Sequence, residues 1–129
     1  MKIYCCNCEK EVEAREIPAT NIYPHRIDLQ GKWFYRCTHC SEYVGAKRLG
    51  EPLGCIPTPE VRQLRVTIHD RIDSIVEDKS LTTAMVYRYL SEKVGEEFHT
   101  GNVKSIEEAD RILCILSELY FSLYEESNK

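Results

Sequence analysis

Cys5-Cys6-Asn7-Cys8 and, further along, Trp33-Phe34-Tyr35-Arg36-Cys37-Thr38-His39-Cys40 decide how the first part of this chain folds. Each stretch contains a Cys-x-x-Cys pair, a spacing that lets one tight turn aim two sulfurs at the same point. Zinc takes four such donors in a tetrahedron, and four thiolates leave it no open position. Cys5, Cys8, Cys37 and Cys40 are therefore the expected ligands of one structural zinc ion. The 28 residues between the pairs exceed the usual spacing of about 15–20, yet they have room for a β-hairpin that returns the chain to the ion. Cys6 is an alternative to Cys5, although a one-residue gap to Cys8 makes a poorer turn. His39, inside the second turn, is expected to point away from the metal.

Seven cysteines in 129 residues invite a disulfide reading, but an odd number fits a fully paired framework badly. The first residues, Met1 to Cys6, lack the apolar stretch of a secretory signal, and no apolar run approaches the ~18 residues of a membrane span. A cytoplasmic protein with no membrane partner is the expectation. In a reducing compartment cysteines serve metals or pack as thiols more often than they pair. Two Cys-x-x-Cys pairs without a βαβ pattern favour metal over redox chemistry. Cys55 and Cys114 have neither partner nor spacing and read as packing thiols.

Composition is that of a globular chain, 43% hydrophobic and 29% charged, with a net charge of −4. That balance excludes a general polyanion binder, whose footprint would be strongly basic. The charge is uneven, however. Residues 1–50 carry eight Lys/Arg against six Asp/Glu, and residues 51–129 carry nine against fifteen. Any contact with nucleic acid is thus expected in the first part.

Around the cysteines the text is short and turn-rich. Glu11 to Ile17 alternates charged and apolar residues as a half-exposed strand does. Pro18 to Pro24 interrupts, His25 to Leu29 alternates again, and Gln30-Gly31-Lys32 reads as a turn. Trp33 to Cys37 is a β-prone run, and Glu42 to Gly45 one more short strand. Gly50 to Pro57 is a linker by its glycine and proline content.

Three helices are expected after it. Thr58-Pro59 starts the first, with Val61, Leu64, Ile68, Ile72 and Ile75 on one face. The second starts at Thr82 or Thr83, carries Met85, Val86, Tyr89, Leu90 and Val94, and stops at Gly95. Ser105 and Glu108 form a capping box for the third, which runs through Ala109, Ile112, Leu113, Leu116, Leu119, Tyr120 and Leu123. The fold class is α+β: a β-hairpin zinc ribbon over residues 1–50, then a three-helix region over 51–129 packed with it as one unit.

Two further groups of residues merit functional weighing. Arg62, Arg65, His69 and Asp73 follow one another at steps of three, four and four on the first helix. With His99 from a later loop they form a candidate ligand site, or a polar network pinning the loop to the helix. An enzyme using His69, Asp73 and His99 is the least favoured reading, since no nucleophile with an adjacent base and no phosphate-binding glycine motif is present. Lys32, Trp33, Tyr35 and Arg36, with Phe34, mix basic and aromatic side chains as surfaces that stack nucleic-acid bases do. The bland reading of that run is a small core beside the zinc.

In order, the two Cys-x-x-Cys pairs, Tyr43-Val44-Gly45, Pro52-Leu53-Gly54, Arg62-x-x-Arg65-x-x-x-His69-x-x-x-Asp73, Tyr87-x-x-Leu90 and His99-x-Gly101 span the chain from Cys5 to about Leu113. This set resembles a zinc-finger-containing family of unknown function found in bacterial genomes and their phages. The resemblance implies a zinc ribbon, a following helical region and a phage-related context, and it implies no activity. Two departures stand out. Family members often carry Cys-His after the Val-Gly pair, where this chain has Ala46-Lys47, and a tryptophan after the helical Phe-Asp, where this chain has Ser74-Ile75. The functional expectation is a zinc-binding module that contacts nucleic acid or a nucleic-acid-processing protein. The alternative is a protein-interaction adaptor using its acidic helical part.

Overall fold

A computed structural model describes residues 1–48 and 50–127, with side chains not described for residues 124–127. It is α+β: five antiparallel strands in sequential order, followed by three helices. The described residues divide into two compact units, Met1–Glu60 and Val61–Lys129.

The first unit is a meander. Strand β1 (Lys2–Cys5) pairs with β2 (Lys10–Pro18), β2 with β3 (Trp33–Cys37), β3 with β4 (Tyr43–Arg48) and β4 with β5 (Glu51–Pro52). Alternation sorts its two faces. Ile3, Cys5, Val12, Ala14, Tyr35, Cys37 and Val44 point inward and, with Ile56, form the buried cluster of this unit. The strand expected at Glu11–Ile17 is thus present and one residue longer at each end. The turn at Gln30-Gly31-Lys32 is also present, and Gly31 takes φ +80°, a conformation that costs a side-chain-bearing residue.

Two sequence expectations change here. The alternation at His25–Leu29 does not make a strand; Ile27–Leu29 is a short 3-10 helix with Ile27 81% exposed. Arg26 and Asp28, two residues apart, form a bidentate ion pair at 2.9 and 2.6 Å within that turn. The stretch Gly50–Pro57 is not a free linker either. It supplies β5, and Ile56 lies fully buried with its N–H donating to the Tyr4 carbonyl and its carbonyl accepting from Cys6 N–H, both at 2.8 Å. Burial of Ile56 carries the first unit past residue 50 to Glu60.

In the second unit α1 spans Pro59–Lys79, α2 Thr83–Val94 and α3 Ile106–Ser127. Proline at the first helical position suits α1, because its missing N–H has no partner there anyway. Thr82 caps α2 by accepting from Met85 N–H at 3.1 Å, and Gly95 ends it at φ +83°. Ser105 Oγ accepts from Glu108 N–H at 3.1 Å, while the Glu108 carboxylate reaches back to Lys104 N–H. Val61, Ile68, Ile72, Ile75, Val86, Leu90, Phe98, Ala109, Ile112 and Leu116 belong to one core. Each fully buried isoleucine or leucine there contributes roughly 1.5–3 kcal/mol. Leu64 is only partly buried and Met85 exposed, so the two helices show narrower apolar stripes than their sequences suggest.

Candidate metal centre

Two turns position the cysteines. The first leaves β1 at Cys5 and re-enters the sheet at Lys10; the second leaves β3 at Cys37 and rejoins it at Tyr43. Both end on a residue in the left-handed region directly after the last cysteine, Glu9 at φ +56° and Ser41 at φ +66°. That reversal lets each turn fold its two sulfurs inward. Strand pairing then brings the turns together, because Ala14 faces Cys37 across the β2–β3 ladder and Cys5 faces Lys10 across β1–β2.

The result is one cluster. The four Sγ atoms of Cys5, Cys8, Cys37 and Cys40 all lie within 4.8 Å of one another. Cys5 and Cys40 approach to 3.6 Å, and Cys8 and Cys37 to 3.8 Å. Four thiolates placed tetrahedrally about 2.3 Å from a zinc ion have edges of about 3.8 Å. The donor set and its dimensions fit that ion.

Crowding divides the protons among the sulfurs. Burial, then contact with the Cys40, Cys37 and Cys5 thiols, pushes Cys8 up to about 12. Burial also raises Cys5. For Cys40 burial acts upward too, but the Glu42 backbone N–H, the Asn7 side chain and the Cys5 and Cys37 thiols outweigh it and bring the group to about 7. The His39 N–H points at Cys37 Sγ from 3.4 Å, and the His39 ring is exposed.

The remaining cysteines separate from this set. Cys6 faces Cys55, Sγ to Sγ 3.8 Å. Spacing could not have shown that pairing, which depends on the parallel bridge between Cys5 and Ile56. Cys114 is exposed, against the expectation of a packing thiol. Ile112, Ile115, Leu116 and Leu119 take the buried side of α3 instead.

The polar residues of the helical unit do not form one face toward one site. Arg65 is buried, with Nε and Nη2 donating to the Val103 carbonyl at 3.1 and 2.7 Å. His69 and Asp73 are exposed, and Arg62 is half-buried. His99 sits in an exposed loop, 3.3 Å from the Glu97 carboxylate. It lines an open cavity of about 540 Å³ with Glu97, Lys104, Glu108 and Arg111, whereas His69 and Asp73 are not among the described lining residues.

Of the aromatic–basic run, Lys32 is exposed and Trp33 is 39% exposed. Tyr35 is fully buried; its hydroxyl donates to Glu16 at 3.2 Å and accepts from Gly50 N–H at 2.7 Å. No ring face of Tyr35 is left for a base to stack on. Arg36 points to the opposite, outer face of the sheet.

The zinc-finger-containing domain family matches residues 1–118. The chain belongs to that family. No curated protein and no solved structure matches it. Family membership and the four-cysteine cluster agree on metal binding, and among the described residues no helix is long and apolar enough to cross a membrane.

Proposed function

We propose that this protein is a zinc-ribbon binding module in which Cys5, Cys8, Cys37 and Cys40 hold one zinc ion as thiolates. The observation that carries the reading is the pair of sulfur separations, 3.6 and 3.8 Å, set against the ~3.8 Å edge of a zinc–thiolate tetrahedron. With four protein ligands the ion has no vacant position for water or substrate, so its work is folding. The first unit supports this. Its buried cluster has eight members, three of them no larger than alanine or cysteine, and so small a core ordinarily needs a metal or disulfide. A reducing cytosol would keep the ligands in thiolate-competent form.

Metal analysis of protein purified reduced and without chelator tests it. About one equivalent of zinc is expected, falling sharply in Cys37→Ser. Less than about half an equivalent in the unmodified protein would sink the reading.

Function beyond the metal then resides in the surfaces the ribbon presents. Contact with nucleic acid is favoured over an adaptor role of the acidic helical unit, because Arg15 and Arg36 share one face of the sheet with Phe34 and Tyr43.

A further inference from the structure

We propose that the outer face of the ribbon sheet, centred on Arg15, Arg36 and Phe34, binds single-stranded nucleic acid, a phosphate between the arginines and a base against the aromatic rings. The inference builds on the zinc-ribbon reading, since the metal turns hold β2 and β3 in register.

Arg15 and Arg36 stand directly opposite each other in the β2–β3 ladder. Like charges in that arrangement repel and destabilise a sheet. Among the described residues neither arginine has a carboxylate within ion-pair distance. Of the nearest acids along β2, Glu13 is engaged by the Met1 ammonium at 3.2 Å, and the exposed Glu16, on the other face, accepts from the Tyr35 hydroxyl at 3.2 Å. Arg36 carries a second uncompensated feature: its Nε is buried with no hydrogen-bond partner among the described residues. An orphaned buried donor costs about 1–3 kcal/mol. A bound phosphate would offset the repulsion, since guanidinium groups take phosphate oxygens through paired N–H donors.

Two residues along each strand, on the same face, the ladder places Ile17 opposite Phe34. Phe34 packs against Tyr23 and Tyr43, with ring centroids 5.9 and 5.5 Å away. The three rings are half-buried, and Arg26 lies 5.8 Å over the Tyr23 ring. On the other side of Phe34 sits Gly45, with the exposed Leu53 side chain lying against that glycine. Half-buried aromatic rings, packed edge-to-face beside facing arginines, suit a strand whose bases are free to stack, and a strand's phosphates supply the missing charge. A duplex hides its bases, and an acidic peptide has none.

Zinc-loaded protein titrated into fluorescein-labelled oligo(dT) and oligo(U) at low salt tests the proposal by anisotropy. Binding is expected, at least 10-fold weaker for Arg15→Gln/Arg36→Gln. The dependence of log K on log salt should flatten by about 1.4, the change for two lost phosphate contacts on a single strand. Phe34→Leu, which keeps the apolar volume, should weaken binding several-fold, as should an abasic strand. Arg15→Gln alone, an exposed position, serves if the double variant fails to fold. Lys104→Gln, on the helical unit, should change nothing. No anisotropy change at low salt overturns the proposal, as does binding indifferent to both arginines. Equal binding of polyglutamate or of abasic strands overturns the base-stacking half. Zinc content measured on the same samples separates these failures from failure of the metal site.

Discussion

Arg65 on α1 gives two hydrogen bonds to one acceptor, the main-chain carbonyl of Val103, at 3.1 Å from Nε and 2.7 Å from Nη2. Both groups are buried. The contact ties the loop between α2 and α3 to the first helix, next to a second tie in which the Tyr87 and Thr100 hydroxyls meet at 2.9 Å. Arg65→Met would keep much of the aliphatic stem but leave the Val103 carbonyl without its charged donor. A loss of about 2 kcal/mol is expected, within the range for stranding a buried polar group. Urea unfolding of the two proteins measures it, and zinc content should not move. A loss below about 0.5 kcal/mol would show that water replaces the arginine.

Chelation should separate the two units. The helical unit has its own core of thirteen buried residues, whereas the ribbon's is small. Removing the metal with a strong chelator is expected to unfold the ribbon and leave most of the helical ellipticity at 222 nm, with the change reported by Trp33 fluorescence. Concerted loss of both signals would contradict independent stability.

Zinc affinity should rise with pH through the neutral range. Cys8, pushed to about 12, and Cys5, also raised, still hold protons at pH 7, and the metal must displace them. Cys40, brought to about 7, adds a further proton to be displaced mainly below that pH. Affinity is therefore lost as pH falls, and more steeply below 7 than above it. Competition with a chromophoric chelator at pH 6, 7 and 8 gives the slope; a flat profile would mean the thiols are already ionised.

Cys6→Ser and Cys55→Ser should each retain about one equivalent of zinc, because these two sulfurs face each other and not the four-sulfur cluster. Loss of metal in Cys6→Ser, with retention in Cys5→Ser, would reverse the ligand assignment.

Glu9→Gly and Ser41→Gly should hold or raise stability, by up to about 1 kcal/mol each. Both residues sit at positive φ, where a Cβ is strained and glycine is not. Thermal melts of the zinc-loaded proteins decide; a clear drop would mean their side chains do more than fill the turn.

Much of this protein was legible from residue order because the deciding signals are local. Two residues between cysteines make a turn whatever surrounds it, Ser105 and Glu108 cap a helix from within one turn, and Gly95 ends one because only glycine takes that φ cheaply. The alternation of Glu11–Ile17 and the helical stripe of Ile68, Ile72 and Ile75 are likewise properties of the chain itself. What the tertiary structure alone decided was which groups meet across distance. Nothing in the spacing tells that Cys55 returns to Cys6, that Tyr35 turns into the core while Arg36 turns out, or that Arg65 leaves the company of His69 and Asp73 to reach Val103. These depend on strand register and helix phase, and a shift of one residue in a ladder moves every side chain to the other face.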